Sequence, residues 1–190
     1  MTQPGIPARV PAGATPEGDA ILVGGGPVRV DAFIDFLCPF CRRFELAAGP
    51  ALAGLASDHM ASIAYHPMNF LDQASTTRYS TRAAAAAGCA ADLGGFPDFA
   101  HALFVSQPPE GGAGLSDAQL VEIGRTVGLA DTKFAGCISA APYLNWPDYV
   151  TARATQLGVS ATPTVLVAGM PVNPDAHDIS AAVAAAYAER

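Results

Sequence analysis

The chain has 190 residues, 51% hydrophobic and only 14% charged, enough apolar material for one domain-sized core and incompatible with global disorder. Ten basic against seventeen acidic residues give a formal charge of −7, and Lys133 is the sole lysine, so the basic footprint of a nucleic-acid binder is missing. No apolar run approaches the length of a membrane-spanning helix, and four cysteines are too few for a disulfide-dense scaffold.

Residues 1–19 are punctuated by Pro and Gly and predict an extended, mobile arm. They carry neither the basic start nor the apolar stretch of a secretory signal. Two expectations follow: a cytoplasmic protein, or a mature chain from which an export signal or anchor has been removed. Next, Ala20–Val23 and Val28–Phe36 read as two strands joined by a glycine turn, with Val30, Ala32, Ile34 and Phe36 on the more apolar face of the second. A helix opens at Pro39, where a missing N–H costs nothing, with Phe40, Phe44, Ala47, Ala51 and Leu55 on one apolar side. Gly49-Pro50 is expected to kink it. Residues 61–66 form a short strand ended by Pro67.

From about Ala74 to Ala141 the pattern is helical. Tyr79, Ala83, Ala86, Ala90 and Leu93 make one stripe, and Phe96, Phe99, Ala100, Leu103 and Phe104 another. Ser116 and Gln119 form a capping box ahead of Leu120, Ile123 and Val127. Phe134, Cys137, Ile138 and Ala141 make a fourth stripe, and Pro108 to Gly114 is a loop. A further helix runs from near Asn145 to a C-cap at Gly158. Thr164–Ala168 is a buried strand, followed by a turn, a short edge strand and a terminal helix through Ile179, Val183 and Tyr187. The order β-β-α-β, helices, β-β-α predicts an α/β fold with a mixed sheet and an all-helical insertion.

Cys38-Pro39-Phe40-Cys41 follows a strand and opens a helix. Residues three apart share a helix face, so the two sulfurs can meet. Cys38 stands at the helix N-terminus, where free N–H groups and the macrodipole favour its thiolate. Cys41 lies one turn deeper and is more shielded. That division suits a nucleophile and a resolving thiol. A zinc site would need further ligands, but Cys89 and Cys137 are isolated and His59, His66, His101 and His177 are scattered. Pro163, in Val159-Ser160-Ala161-Thr162-Pro163-Thr164, directly precedes a strand, where it cannot donate a ladder bond. It is either an ordinary trans proline or a cis one that turns the Thr162 main chain outward toward an extended peptide. Cys89 and Cys137 each lie on or beside the apolar stripe of a helix. They are either two buried thiols or a second, structural disulfide.

Taken together, DFLCPFCRRFE, YSTRAAAAAGCA and GVSATPTVLVAG resemble the thioredoxin superfamily and, more closely, actinobacterial DsbA-like thiol–disulfide oxidoreductases. The resemblance covers about residues 20–190. It implies a thioredoxin domain over 20–72 and 145–190, with an inserted helical domain over 73–144. It also implies a Cys38 that attacks or is attacked, a Cys41 that resolves, and a cis Pro163 facing them. The expected activity is introduction of disulfide bonds into exported proteins, with no metal or organic cofactor. Reduced protein substrates would be held by Thr162, Pro163 and Phe40. The re-oxidant would be a quinone-linked membrane partner of the DsbB or vitamin K epoxide reductase type. The protein is expected to be an extracytoplasmic monomer in the cell envelope. A reductase or isomerase of the same fold is the first alternative, and a peptide-binding chaperone module the second. Similar actinobacterial sequences carry cysteines at comparable places, which favours a Cys89–Cys137 bond, an oxidising compartment and up to ~4 kcal/mol of stabilisation.

One position departs from the family pattern. A buried acid is common six residues before the first cysteine, and that position here is Ala32. Asp31 has the opposite strand parity. Asp35 stands near the strand's end, where a surface or capping role is expected, with proton handling at Cys41 through water as the alternative. Phe40 either offers an apolar contact or packs over the site. Met68, Phe70, Leu71 and Tyr143 are candidates for an apolar groove, with core packing as their other use.

Overall fold

In a computed structural model of the chain, which describes residues 7–129 and 131–190, five strands form one mixed sheet in the order β1-β3-β2-β4-β5. The strands are β1 (Ile21–Val23), β2 (Val28–Ile34), β3 (Ala61–Pro67), β4 (Thr164–Val167) and β5 (Met170–Val172). The helices are α1 (Pro39–Ser57), α2 (Tyr79–Asp92), α3 (Phe96–Val105), α4 (Asp117–Thr126), α5 (Asp131–Ala140), α6 (Trp146–Gln156) and α7 (Ala176–Ala188). β2 and β3 run parallel, because α1 carries the chain back between them, and the other pairings are antiparallel. This is the thioredoxin fold, with α2 to α5 inserted after β3. The two strands flanking the glycine turn do not pair: β3 lies between β1 and β2. Gly26 lets β2 start against β3, since a Cβ there would overlap the Ala61 and Met60 backbone.

Val28, Val30, Ala32 and Ile34 are buried at two-residue spacing along β2, as the strand pattern predicts. α1 differs from its predicted phase. Its buried side runs through Cys41, Phe44, Ala48, Leu52 and Ala56, so Phe40, Ala47, Ala51 and Leu55 sit a residue out of register. Burying Cys41 beneath the end of β2 fixes this rotation. α1 also continues through Pro50 as one helix, with Gly49 packed under the Glu45 carboxyl. α2 has no single stripe. Apart from Arg82 it is buried from Tyr79 to Ala91, because α3, α4, α5 and α6 surround it, and its alanine run permits that close approach. The Ser116–Gln119 capping box is present at α4.

The predicted arm also needs correction. Residues 1–6 of it lie outside the described residues, but much of 11–19 is packed on the body. Trp146 Nε1 donates to Gly18 O at 2.8 Å, and Tyr149 Oη donates to Glu17 O at 2.7 Å. Ala14 bridges to Ile21, and Ala12 N–H reaches Asp92. Buried aromatic donors on α6 need acceptors, and the carbonyls of the turn at Glu17 and Gly18 supply them.

Candidate active site

β2 ends at Ile34, and the chain turns through Asp35, Phe36 and Leu37 into Cys38, the N-cap of α1. The turn is closed by a bond from Cys38 N–H to Asp35 O at 3.0 Å. Pro39 then starts the helix without wasting a donor. Cys38 and Cys41 are both free thiols, and both are buried. The Thr162–Pro163 peptide bond is cis, and Cys38 Sγ lies 3.4 Å from Thr162 O. Residues far apart in the chain therefore meet across the sulfur.

The two sulfurs are in opposite environments. The Cys38 thiol is pulled down to about 6, chiefly by a hydrogen bond from Cys41. Burial opposes this, while Thr162 and the backbone N–H groups of Cys41 and Phe40 assist. Burial pushes the Cys41 thiol far up, and the neighbouring Cys38 charge pushes the same way. One thiolate is thus stabilised while its partner keeps its proton.

Asp35 is neither a surface residue nor a simple cap. It is fully buried. Its Oδ1 accepts from Leu37 N–H at 2.9 Å and from Ser80 Oγ at 2.6 Å, and its Oδ2 accepts from Leu71 N–H at 2.9 Å. Its own backbone N–H points at Cys41 Sγ at 3.4 Å. Burial raises this carboxyl to about 6, against the three donors, and the Cys38 charge adds to the rise. Ala32 is buried in the sheet and offers no acid.

A groove of about 440 Å³ opens beside Cys38. Phe40, 59% exposed, lines it, with Arg43 stacked 4.4 Å from its ring centroid. Phe70, Leu71 and Thr162 form other walls. Met68 is in the core, and Tyr143 is buried with its hydroxyl on Asp92, so neither belongs to this groove. Sequence reasoning missed Ser80 and Gln107, and it read Leu71 only as a groove or core side chain. Ser80 and the Leu71 N–H hold Asp35. Gln107 Nε2 donates to Phe36 O at 2.9 Å and Cys38 O at 3.0 Å. Nothing in their local sequence marks them, because each acts across the fold.

Cys89 and Cys137 are bonded, tying α2 to α5. Among the described residues, no three His, Cys, Asp or Glu side chains gather to hold a metal. No helix among them is long and apolar enough to cross a membrane.

Comparison with known proteins gives one family match, described as Thioredoxin, over residues 24–185. The chain is similar to the serine/threonine-protein kinase PknE of Mycobacterium tuberculosis, 33% identical over 168 residues. That match takes in 82% of this chain but only 30% of the kinase, so the chain spans about a third of that relative's length. Among solved structures it is similar to reduced DsbA from Mycobacterium tuberculosis: 33% identity and a TM-score of 0.72, over 88% of this chain and 99% of that one. It is also similar to the reduced disulfide bond oxidoreductase DsbG from the same organism: 35% identity and a TM-score of 0.74, over 93% and 88%.

Proposed function

The chain belongs to the DsbA-like family of the thioredoxin superfamily, and from that premise we propose that it is a protein thiol–disulfide oxidoreductase that introduces disulfide bonds into exported proteins through Cys38 and Cys41. The observation that carries the reading is the placement of two sulfurs one helical turn apart: Cys38 at the N-cap of α1, 3.4 Å from Thr162 O beside the cis Pro163, where its thiol is held down to about 6, and Cys41 fully buried, where burial pushes its thiol up. A pair whose outer sulfur is stable as an anion favours its reduced form, which makes its disulfide a strong oxidant.

The exchange needs only sulfur chemistry. A substrate thiolate attacks Cys38 Sγ of the oxidised pair. The Cys38–Cys41 bond breaks, a substrate–Cys38 disulfide forms, and the Cys41 sulfur takes a proton as it leaves. A second substrate thiolate attacks the substrate sulfur of that mixed disulfide and expels Cys38 as a thiolate. Two electrons pass from the substrate dithiol to the cysteine pair. Thr162 and Pro163 hold the substrate strand opposite Cys38, and Phe40 gives it an apolar contact. Residues 20–72 and 145–190 supply the two cysteines and the Thr162–Pro163 loop, and the inserted helical domain, 73–144, backs them and adds Glu110 to the groove wall. The Cys89–Cys137 bond suits an oxidising, extracytoplasmic compartment. There, a quinone-linked membrane partner of the DsbB or vitamin K epoxide reductase type would re-oxidise the pair.

The test is the equilibrium of the Cys38–Cys41 pair with glutathione, together with oxidation of a reduced, unfolded protein by the oxidised chain. A potential near the strongly oxidising ~−120 mV and stoichiometric transfer are expected. A potential near ~−270 mV would reverse the direction of the reaction and refute the reading.

A further inference from the structure

The groove beside Cys38 is lined mostly by apolar side chains, with the hydroxyls of Ser160 and Thr162 and a single carboxylate among them. Of the side chains that line it, Glu110 alone is a carboxylate, and the others include Phe40, Phe70, Leu71 and Thr162. Glu110 is exposed and has no ion-pair partner among the described residues. Arg43, beside the groove residue Phe40, is stacked on that ring.

The loop that carries Glu110 is held on both sides. Before it, the Gln107 amide is bonded to the carbonyls of Phe36 and Cys38, the turn that presents the reactive sulfur. After it, Gly111 N–H donates to Ala74 O at 2.7 Å, and Gly112 O accepts from Thr76 N–H at 3.0 Å. Pro108 and Pro109 restrict the backbone between. The carboxylate therefore hangs from a fixed point on the groove wall, referenced to Cys38 itself.

Building on the exchange function above, we propose that Glu110 makes this groove selective for cysteine-containing segments that carry a lysine or arginine beside the cysteine. An extended segment whose sulfur meets Cys38 has its flanking side chains within the groove, where a cation finds the unpaired carboxylate and an anion is repelled. The chain's excess of acidic residues works in the same direction at longer range.

The experiment uses the full oxidised chain and three unstructured dithiol peptides that differ only in the residue beside the cysteine: Lys, Gln or Glu. The wild type is expected to prefer Lys over Glu in kcat/KM by about three- to tenfold at low ionic strength, with the ratio shrinking as salt is added. Glu110→Gln brings the ratio toward one and Glu110→Lys inverts it. Comparing ratios between variants cancels the peptides' own thiol reactivities. A Lys-to-Glu ratio that Glu110→Gln leaves unmoved, with turnover intact, overturns this inference alone. Failure of all three peptides to be oxidised overturns the exchange function, and the selectivity with it.

Discussion

The Cys38 sulfur lies 3.4 Å from the carbonyl oxygen of Thr162, a residue 124 positions later in the chain. That single approach brings the two halves of the site together, and it sets the frame in which the sulfur titrates. Direct titration of the reduced chain by thiolate absorbance is expected to give an inflection near pH 6 for Cys38. Because the Cys41 thiol is the largest contributor, Cys41→Ala should move that inflection upward by at least a unit. An unmoved inflection would assign the stabilisation to the helix end alone.

The same depression makes stability depend on pH in the reduced state only. The folded Cys38 thiol binds its proton less tightly than the unfolded one, whose ordinary value is 9.0. Its contribution is therefore complete above about pH 9 and is lost as pH falls through about 6. Denaturant midpoints of the reduced chain should rise relative to those of the oxidised chain between these limits. Parallel curves would contradict the titration.

Asp35 gives the opposite slope. Its folded carboxyl holds a proton more tightly than an unfolded one, so charging it costs stability as pH rises from about 4 to about 6. Asp35→Asn removes that slope. In the oxidised protein, the stability of wild type relative to the variant should fall across this range by up to ~3 kcal/mol. In the reduced protein, loss of the carboxylate should lower the Cys38 inflection further, because the repulsion between the two charges is mutual. An Asp35 that only fills space would leave both readouts flat.

Replacing Cys89 and Cys137 by alanine frees a loop with a sequence separation of 48. The chain-entropy argument puts the loss of stability at up to ~4 kcal/mol, read as a lowered urea midpoint. The Cys38 inflection should stay where it is, which separates the strut from the reactive pair.

What the sequence disclosed follows the range of the interactions involved. The CPFC helix start, the capping box at Ser116 and the strand after Pro163 are local patterns, and they are legible. So is the order of elements, because each carries its own periodicity. The rotation of α1 is not legible: Phe40 is as apolar as Phe44, and only the need to bury Cys41 against β2 selects the face. Residues 11–19 look mobile because their partners, Trp146 and Tyr149, sit at the other end of the chain. Asp35 looks like a surface residue because two of its donors, Leu71 N–H and Ser80, come from 36 and 45 positions away.

That last arrangement links the reactive end of the molecule to its helical insertion. One carboxylate pins the turn before Cys38, the groove wall at Leu71 and the first turn of α2. A copy that has not yet seated α2 lacks the Ser80 hydroxyl, one of the three donors that hold this carboxylate, so the turn and the groove wall are tied less firmly to the helical insertion. The surface that receives a substrate and the docking of the inserted helices are thus assembled through one shared anion.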